Sequence, residues 1–82
     1  MRKVRFTARA GRDIEALPAI AKEQIRGALR VLVADPHGGI SLKGPWEGYR
    51  RFRSGDYRII YKISGDEVVI YYIRHRREAY RG

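Results

Sequence analysis

The apolar residues of this chain change their spacing once, and that change limits the fold more than any other feature. From Thr7 to Ala34 they recur at helical intervals. Ala10, Ile14 and Leu17 fall at i, i+4 and i+7, and Ile25, Ala28, Leu29, Leu32 and Val33 form a second stripe. From Tyr49 onward the period is two. The first pattern lays a stripe along a helix and the second lines the faces of a strand, so neither half can exchange structures and still bury its apolar side. The chain is α+β.

Punctuation sets the element boundaries. Lys3 to Phe6 reads as an opening strand, and Thr7 is placed to cap the first helix. Pro18 breaks the helical run and suits the first turn of a second helix, which Asp35-Pro36-His37-Gly38-Gly39 stops. Tyr49 to Arg53, Asp56 to Ser64 and Glu67 to Arg74 read as three strands, joined at Ser54-Gly55 and at Ser64-Gly65-Asp66 by short connections of the hairpin kind. The expected order is β-α-α-β-β-β: a small antiparallel sheet with a two-helix hairpin on one face, one domain over residues 1–82. Along the middle strand Tyr57, Ile59, Tyr61 and Ile63 point one way, and Arg58, Ile60 and Lys62 the other. Arg58 can therefore project from the face opposite the helices. Val68 to Ile73 is apolar at every position, so its core face does not follow from pattern.

Charge indicates the kind of partner. Eighteen Lys and Arg stand against nine Asp and Glu, for a net charge of +9, and fourteen of the eighteen are Arg. Such an excess favours a polyanion, and arginine is the better fork for phosphate oxygens. The basic residues cluster at Arg50, Arg51, Arg53 and Arg58 and again at Arg74, Arg76, Arg77 and Arg81. There is no cysteine, which removes disulfides and thiolate zinc sites. Paired carboxylates, a phosphate-cradling glycine loop and a metal cluster are lacking, so neither a metal nor a small-molecule cofactor is expected. No apolar run approaches the ~20 residues of a membrane span. Met1-Arg2-Lys3 leads into a strand-like segment instead of a signal-peptide core, and the expected location is the cytoplasm, with no membrane partner.

The order of elements, together with Leu42-Lys43-Gly44, "YRRFRSGDYRIIY" from Tyr49 to Tyr61 and "IRHRREAY" from Ile73 to Tyr80, resembles the RelE/ParE superfamily of toxins from type II toxin–antitoxin pairs, most closely the RelE branch. The resemblance implies a toxin that cuts messenger RNA in the ribosomal A site without a metal, the 2′-hydroxyl attacking the adjacent phosphorus to leave a cyclic phosphate. It implies as partners the ribosome with its message and a cognate antitoxin protein. Arg58 matches the arginine that neutralises the scissile phosphate, Arg51 a basic residue of the preceding strand, and Arg76 the basic residue of the closing segment. Tyr80 matches a tyrosine that stacks on a base or assists proton transfer. The alignment around Arg76 can also shift by one or two residues, letting Arg74 take its place.

The chemistry of that reaction asks for such a set. Negative charge builds on the phosphate oxygens, and without Mg²⁺ the protein must supply permanent donors there. Arginine is charged at any physiological pH and can bind two oxygens at once. Proton transfer calls for a group titrating near neutrality. His75 is either that group or a histidine ending a strand, and His37, beside Pro36, reads as a turn residue. Arg58 has a second reading in which it pairs with Asp56 or Asp66, and Tyr80 one in which it packs the tail onto the sheet. Lys43, Arg50, Arg53, Arg74, Arg77 and Arg81 read as contacts to RNA, the ribosome or the antitoxin. Trp46 and Tyr49 either stack on bases or, in the case of Trp46, plug the edge of the core. A ParE-like gyrase poison and a non-catalytic RNA-binding relative are the alternative functions.

Overall fold

A computed structural model describes residues 3–75. Strand β1 (Lys3–Phe6) leads into helix α1 (Ala8–Glu15), and helix α2 (Ala19–Ala34) follows. Thr7 caps α1 by accepting from the Ala10 amide at 3.1 Å, while its hydroxyl donates to the Tyr71 carbonyl at 2.7 Å. Pro18 is the N-cap of α2, one position before the first turn expected for it. Beyond a single 3-10 turn at Pro36–Gly38 come the two-residue strand β2 (Ile40–Ser41), a second 3-10 turn at Gly44–Trp46, and strands β3 (Arg50–Ser54), β4 (Tyr57–Ser64) and β5 (Glu67–His75). Gly55 and Gly65 open the two hairpin turns with φ of 58° and 61°, left-handed values that glycine adopts without a steric penalty.

The five strands lie in the order β1-β5-β4-β3-β2. Hairpins force β3, β4 and β5 to be antiparallel, as the sequence suggests. The expectation of a wholly antiparallel sheet fails at β1, which runs parallel to β5 with Lys3 opposite Glu67 and Phe6 opposite Ile70. No tight turn joins these two strands, so no local signal dictates their relative direction; the sheet is mixed. Strand β2 is not foreshadowed by the sequence pattern, because two residues are too few to display a period.

Both helices cover one face. Ala10, Ile25, Ala28 and Leu32 pack against Ile59, Tyr61, Val68, Ile70 and Ile73 in one buried cluster. The β5 members are spaced 68, 70, 73, and the pairing explains the odd step. Ile60 lies opposite Tyr72 but Tyr61 opposite Ile70, so Tyr71 is an extra residue on β5, a β-bulge. Beyond it the side-chain parity inverts. The bulge thus turns Ile73 to the helix side, while Val69, paired with Lys62 before it, lies on the opposite face.

Helix α1 also closes the sheet where β1 ends. The Thr7 amide donates to the Ile70 carbonyl at 3.0 Å, and the Asp13 carboxylate accepts from the Ile73 amide at 3.0 Å. Edge groups of β5 that β1 is too short to reach are met by the helix.

Candidate active site

The face opposite the helices carries the charge. Along β4 the residues pointing away from the core include Arg58 and Ile60, and the register places their neighbours: Arg58 lies between Arg53 on β3 and Arg74 on β5, and Ile60 between Arg51 and Tyr72. Three arginines therefore sit side by side across three strands, with a fourth, Arg51, two pairs further along on the same face. Like charges directly opposite one another in a sheet cost stability, roughly 0.2–1 kcal/mol per pair. A fold that keeps this row sets charge density above local stability, as functional sites do.

Arg51, Arg58 and Arg74, with Leu42, Ile60 and Tyr72, line a pocket of about 200 Å³. None of the six is acidic. The pocket has an apolar floor, which strengthens any charge interaction made within it. Tyr72 holds two cations to its ring, the Arg9 guanidinium at 4.5 Å from the centroid and that of Arg74 at 5.1 Å. Phosphate oxygens are the natural guest for such a convergence of planar forks.

The other candidate residues separate by face. Arg53 is exposed beside Arg58, and Lys43 is exposed just before the second 3-10 turn. Arg50, expected to contact RNA, has the opposite parity: its Nη2 donates to the carbonyls of His37 and Gly39, both at 2.8 Å, and clamps the loop leading to β2. His75 lies on the helix side, opposite Tyr57 in the register and edge-on to its ring at 5.1 Å. It borders a separate pocket of about 300 Å³ with Asp13, Leu17 and Pro18, so the sheet stands between it and Arg58. His37 is exposed in its turn, as expected. Asp66 cannot pair with Arg58, since it follows Ser64 at the far end of β4, about 20 Å along the strand. Arg76, Arg77, Tyr80 and Arg81 lie outside the described residues.

Tyr72, and Leu42 of the Leu42-Lys43-Gly44 motif, join the site without a role expected from the sequence. Tyr72 is two residues from Arg74 and shares its face, a signal that was legible but that the neighbouring bulge obscured. Among the described residues no three of His, Cys, Asp or Glu converge as metal ligands. Tyr49, on the arginine face, has its phenol pushed above the ordinary value of 10.0 chiefly by a hydrogen bond to the Tyr71 side chain, then by burial and by the charge on Tyr71. A phenol so held stays neutral and is a poor base near pH 7.

A mixed sheet with two helices behind it and an arginine pocket in front defines a small, basic α+β protein. Comparison with known proteins narrows the class. A family model described as the ParE toxin of the type II toxin–antitoxin system parDE matches residues 4–80. Toxin RelE of Mycobacterium tuberculosis is 37% identical over 82 residues, 95% of this chain and 84% of the relative. Among solved structures, the toxin–antitoxin complex RelBE2 of M. tuberculosis includes a chain that superposes with a TM-score of 0.84 at 33% identity, covering 92% of this chain and 98% of that one. The YoeB/ParE toxin of Agrobacterium tumefaciens follows with a TM-score of 0.75 at 25% identity, covering 89% and 96%. The class is that of toxins from type II toxin–antitoxin pairs. Within it, this chain belongs to the RelE/ParE family, with its curated relative on the RelE side.

Proposed function

We propose that this toxin is a ribosome-dependent endoribonuclease that cleaves messenger RNA by attack of a 2′-hydroxyl on the adjacent phosphorus. The observation that carries the proposal is the pocket itself, where Arg51, Arg58 and Arg74 converge beside the apolar side chains of Leu42 and Ile60. In the reaction the 2′-hydroxyl gives up its proton as its oxygen forms a bond to phosphorus, the bond to the 5′-oxygen breaks and that oxygen takes a proton, and a cyclic phosphate remains. Charge accumulates on the non-bridging oxygens at the transition state. Guanidiniums already in place there stabilise it with no reorganisation. Arg58, central in the row, is assigned to the scissile phosphate, with Arg51 and Arg74 on either side.

In this scheme Arg74 takes the role that the shifted alignment allowed it, and the roles that the resemblance gives Arg76 and Tyr80 fall outside the described residues. Direct proton transfer by His75 is not part of the mechanism, because it occupies the other face. The toxin would act in the cytoplasm, where ribosomes and message are, and be held inactive by a cognate antitoxin. Several structural neighbours were solved as RelB–RelE complexes, which supports a partner of that kind.

The test is to map messenger RNA 5′ ends after a brief pulse of expression, with Arg58→Ala as control. Codon-phased breaks that depend on Arg58 are expected. An SOS response with intact message would instead mark a gyrase poison and overturn the assignment, as would growth arrest with neither.

A further inference from the structure

The arginine pocket adjoins an aromatic group that phosphate binding leaves unused. Trp46 lies with its ring centroid 5.3 Å from that of Tyr49 and 5.7 Å from that of Tyr72, inclined by 82° and 67°. Tyr49 in turn meets Tyr71 edge-on at 4.7 Å and holds the Lys62 ammonium 5.6 Å from its ring centroid. Of the two readings the sequence allowed for Trp46, the plug fails: the residue stands away from the helix-side core and is 42% exposed. Both of its ring contacts are steeply inclined, so neither neighbour lies flat against the indole. Tyr72 is at once a neighbour of Trp46 and a wall of the pocket, which sets the indole within a nucleotide's reach of a phosphate held by the arginines.

We propose that Trp46, braced by Tyr49 and Tyr72, is a stacking subsite for an unpaired nucleobase, that of the nucleotide adjoining the phosphate in the arginine pocket. The inference rests on the RNA-cleaving reading above and deepens it. A flat, exposed indole beside fixed cations has the chemistry of single-strand recognition: cations track the backbone while aromatic faces take bases of any identity. The subsite therefore contributes affinity and positioning with little sequence preference. Trp46 is a positioning residue for the cleaved strand.

Trp46 is the only tryptophan of the chain, so its emission reports on this site alone. The probe is a tetraribonucleotide with every 2′-hydroxyl methylated, which cannot attack and is not consumed, titrated into the full chain. Expected are quenching of the emission and an affinity about tenfold or more above that of an abasic strand of equal length, with the same salt slope for both. Trp46→Ala should abolish the difference between the two strands, and Trp46→Phe should keep most of it. Equal affinity for both strands in the parent protein, unchanged emission at saturation, or no binding at millimolar strand would overturn the proposal. So would a Trp46→Ala variant that binds the tetranucleotide like the parent and loses affinity for ribosomes, which would assign the indole to ribosomal RNA. Base-dependent quenching without cleavage on ribosomes supports the subsite and rejects the nuclease. Arg58-dependent cleavage with no base-dependent quenching rejects the subsite and leaves the nuclease standing.

Discussion

Substituting Gly39 by alanine should destabilise the toxin more than an exposed loop would suggest. Gly39 has φ of −78° and ψ of 169°, a conformation open to any residue, so backbone freedom is not the reason for glycine there. The reason is space. A Cβ at this position would overlap the Tyr61 hydroxyl and lie 2.9 Å from the Arg51 carbonyl oxygen and 3.0 Å from Tyr61 Cζ. Tyr61 is fully buried and its hydroxyl donates to the Pro36 carbonyl, so it cannot withdraw without breaking that bond. Overpacking of this kind costs ~1–3 kcal/mol, and separating a buried hydroxyl from its carbonyl costs ~1–3 kcal/mol where it occurs. A loss of about 2–6 kcal/mol follows where both occur, which for a domain of this size lowers Tm by about 10 °C or more. Tyr61→Phe alone leaves the Pro36 carbonyl without its donor and should cost ~1–2 kcal/mol. Because both substitutions act on one contact, the double variant should fall short of the sum by at least ~1 kcal/mol. Thermal unfolding by circular dichroism of the four proteins measures the cycle. A Gly39→Ala protein within ~4 °C of the parent, or strict additivity, would refute the reasoning.

Other expectations concern the charged face and its surroundings. Arg58→Ala should abolish growth arrest while unfolding stays cooperative, and Arg58→Lys should recover only part of the activity, keeping the charge without the fork; an unfolded Arg58→Ala protein would show a structural role instead. His75→Gln should leave single-turnover cleavage within about tenfold of the parent, less than ~1.4 kcal/mol, with the pH profile unchanged. Loss of an acidic limb in that variant would bring His75 into the reaction. Tyr49, whose phenol is raised, should ionise at higher pH than an ordinary tyrosine, and Tyr71→Phe should move its tyrosinate absorbance to lower pH. The sign for stability follows: the Tyr49–Tyr71 contribution is complete below the unfolded value near 10 and disappears as pH rises through the folded one.

The two helices, the three-stranded meander and the outward face of Arg58 are all legible in the order of residues. Each of these depends on neighbours within a few residues: a helical stripe, a period of two, or a glycine opening a tight turn. Local pattern states which residues of one strand share a face, but it carries no information about which strand lies alongside. The parallel pairing of β1 with β5 and the fifth strand at Ile40–Ser41 therefore emerge only when the chain is folded. Folding also decides the composition of the site. Counting alternately from Val68 and Ile70, Arg74 would face the helices and His75 the arginines. The extra residue at Tyr71 inverts that count, bringing Arg74 beside Arg58 and carrying His75 to the other side. A bulge is a mismatch between two strands, and nothing within either strand alone encodes it.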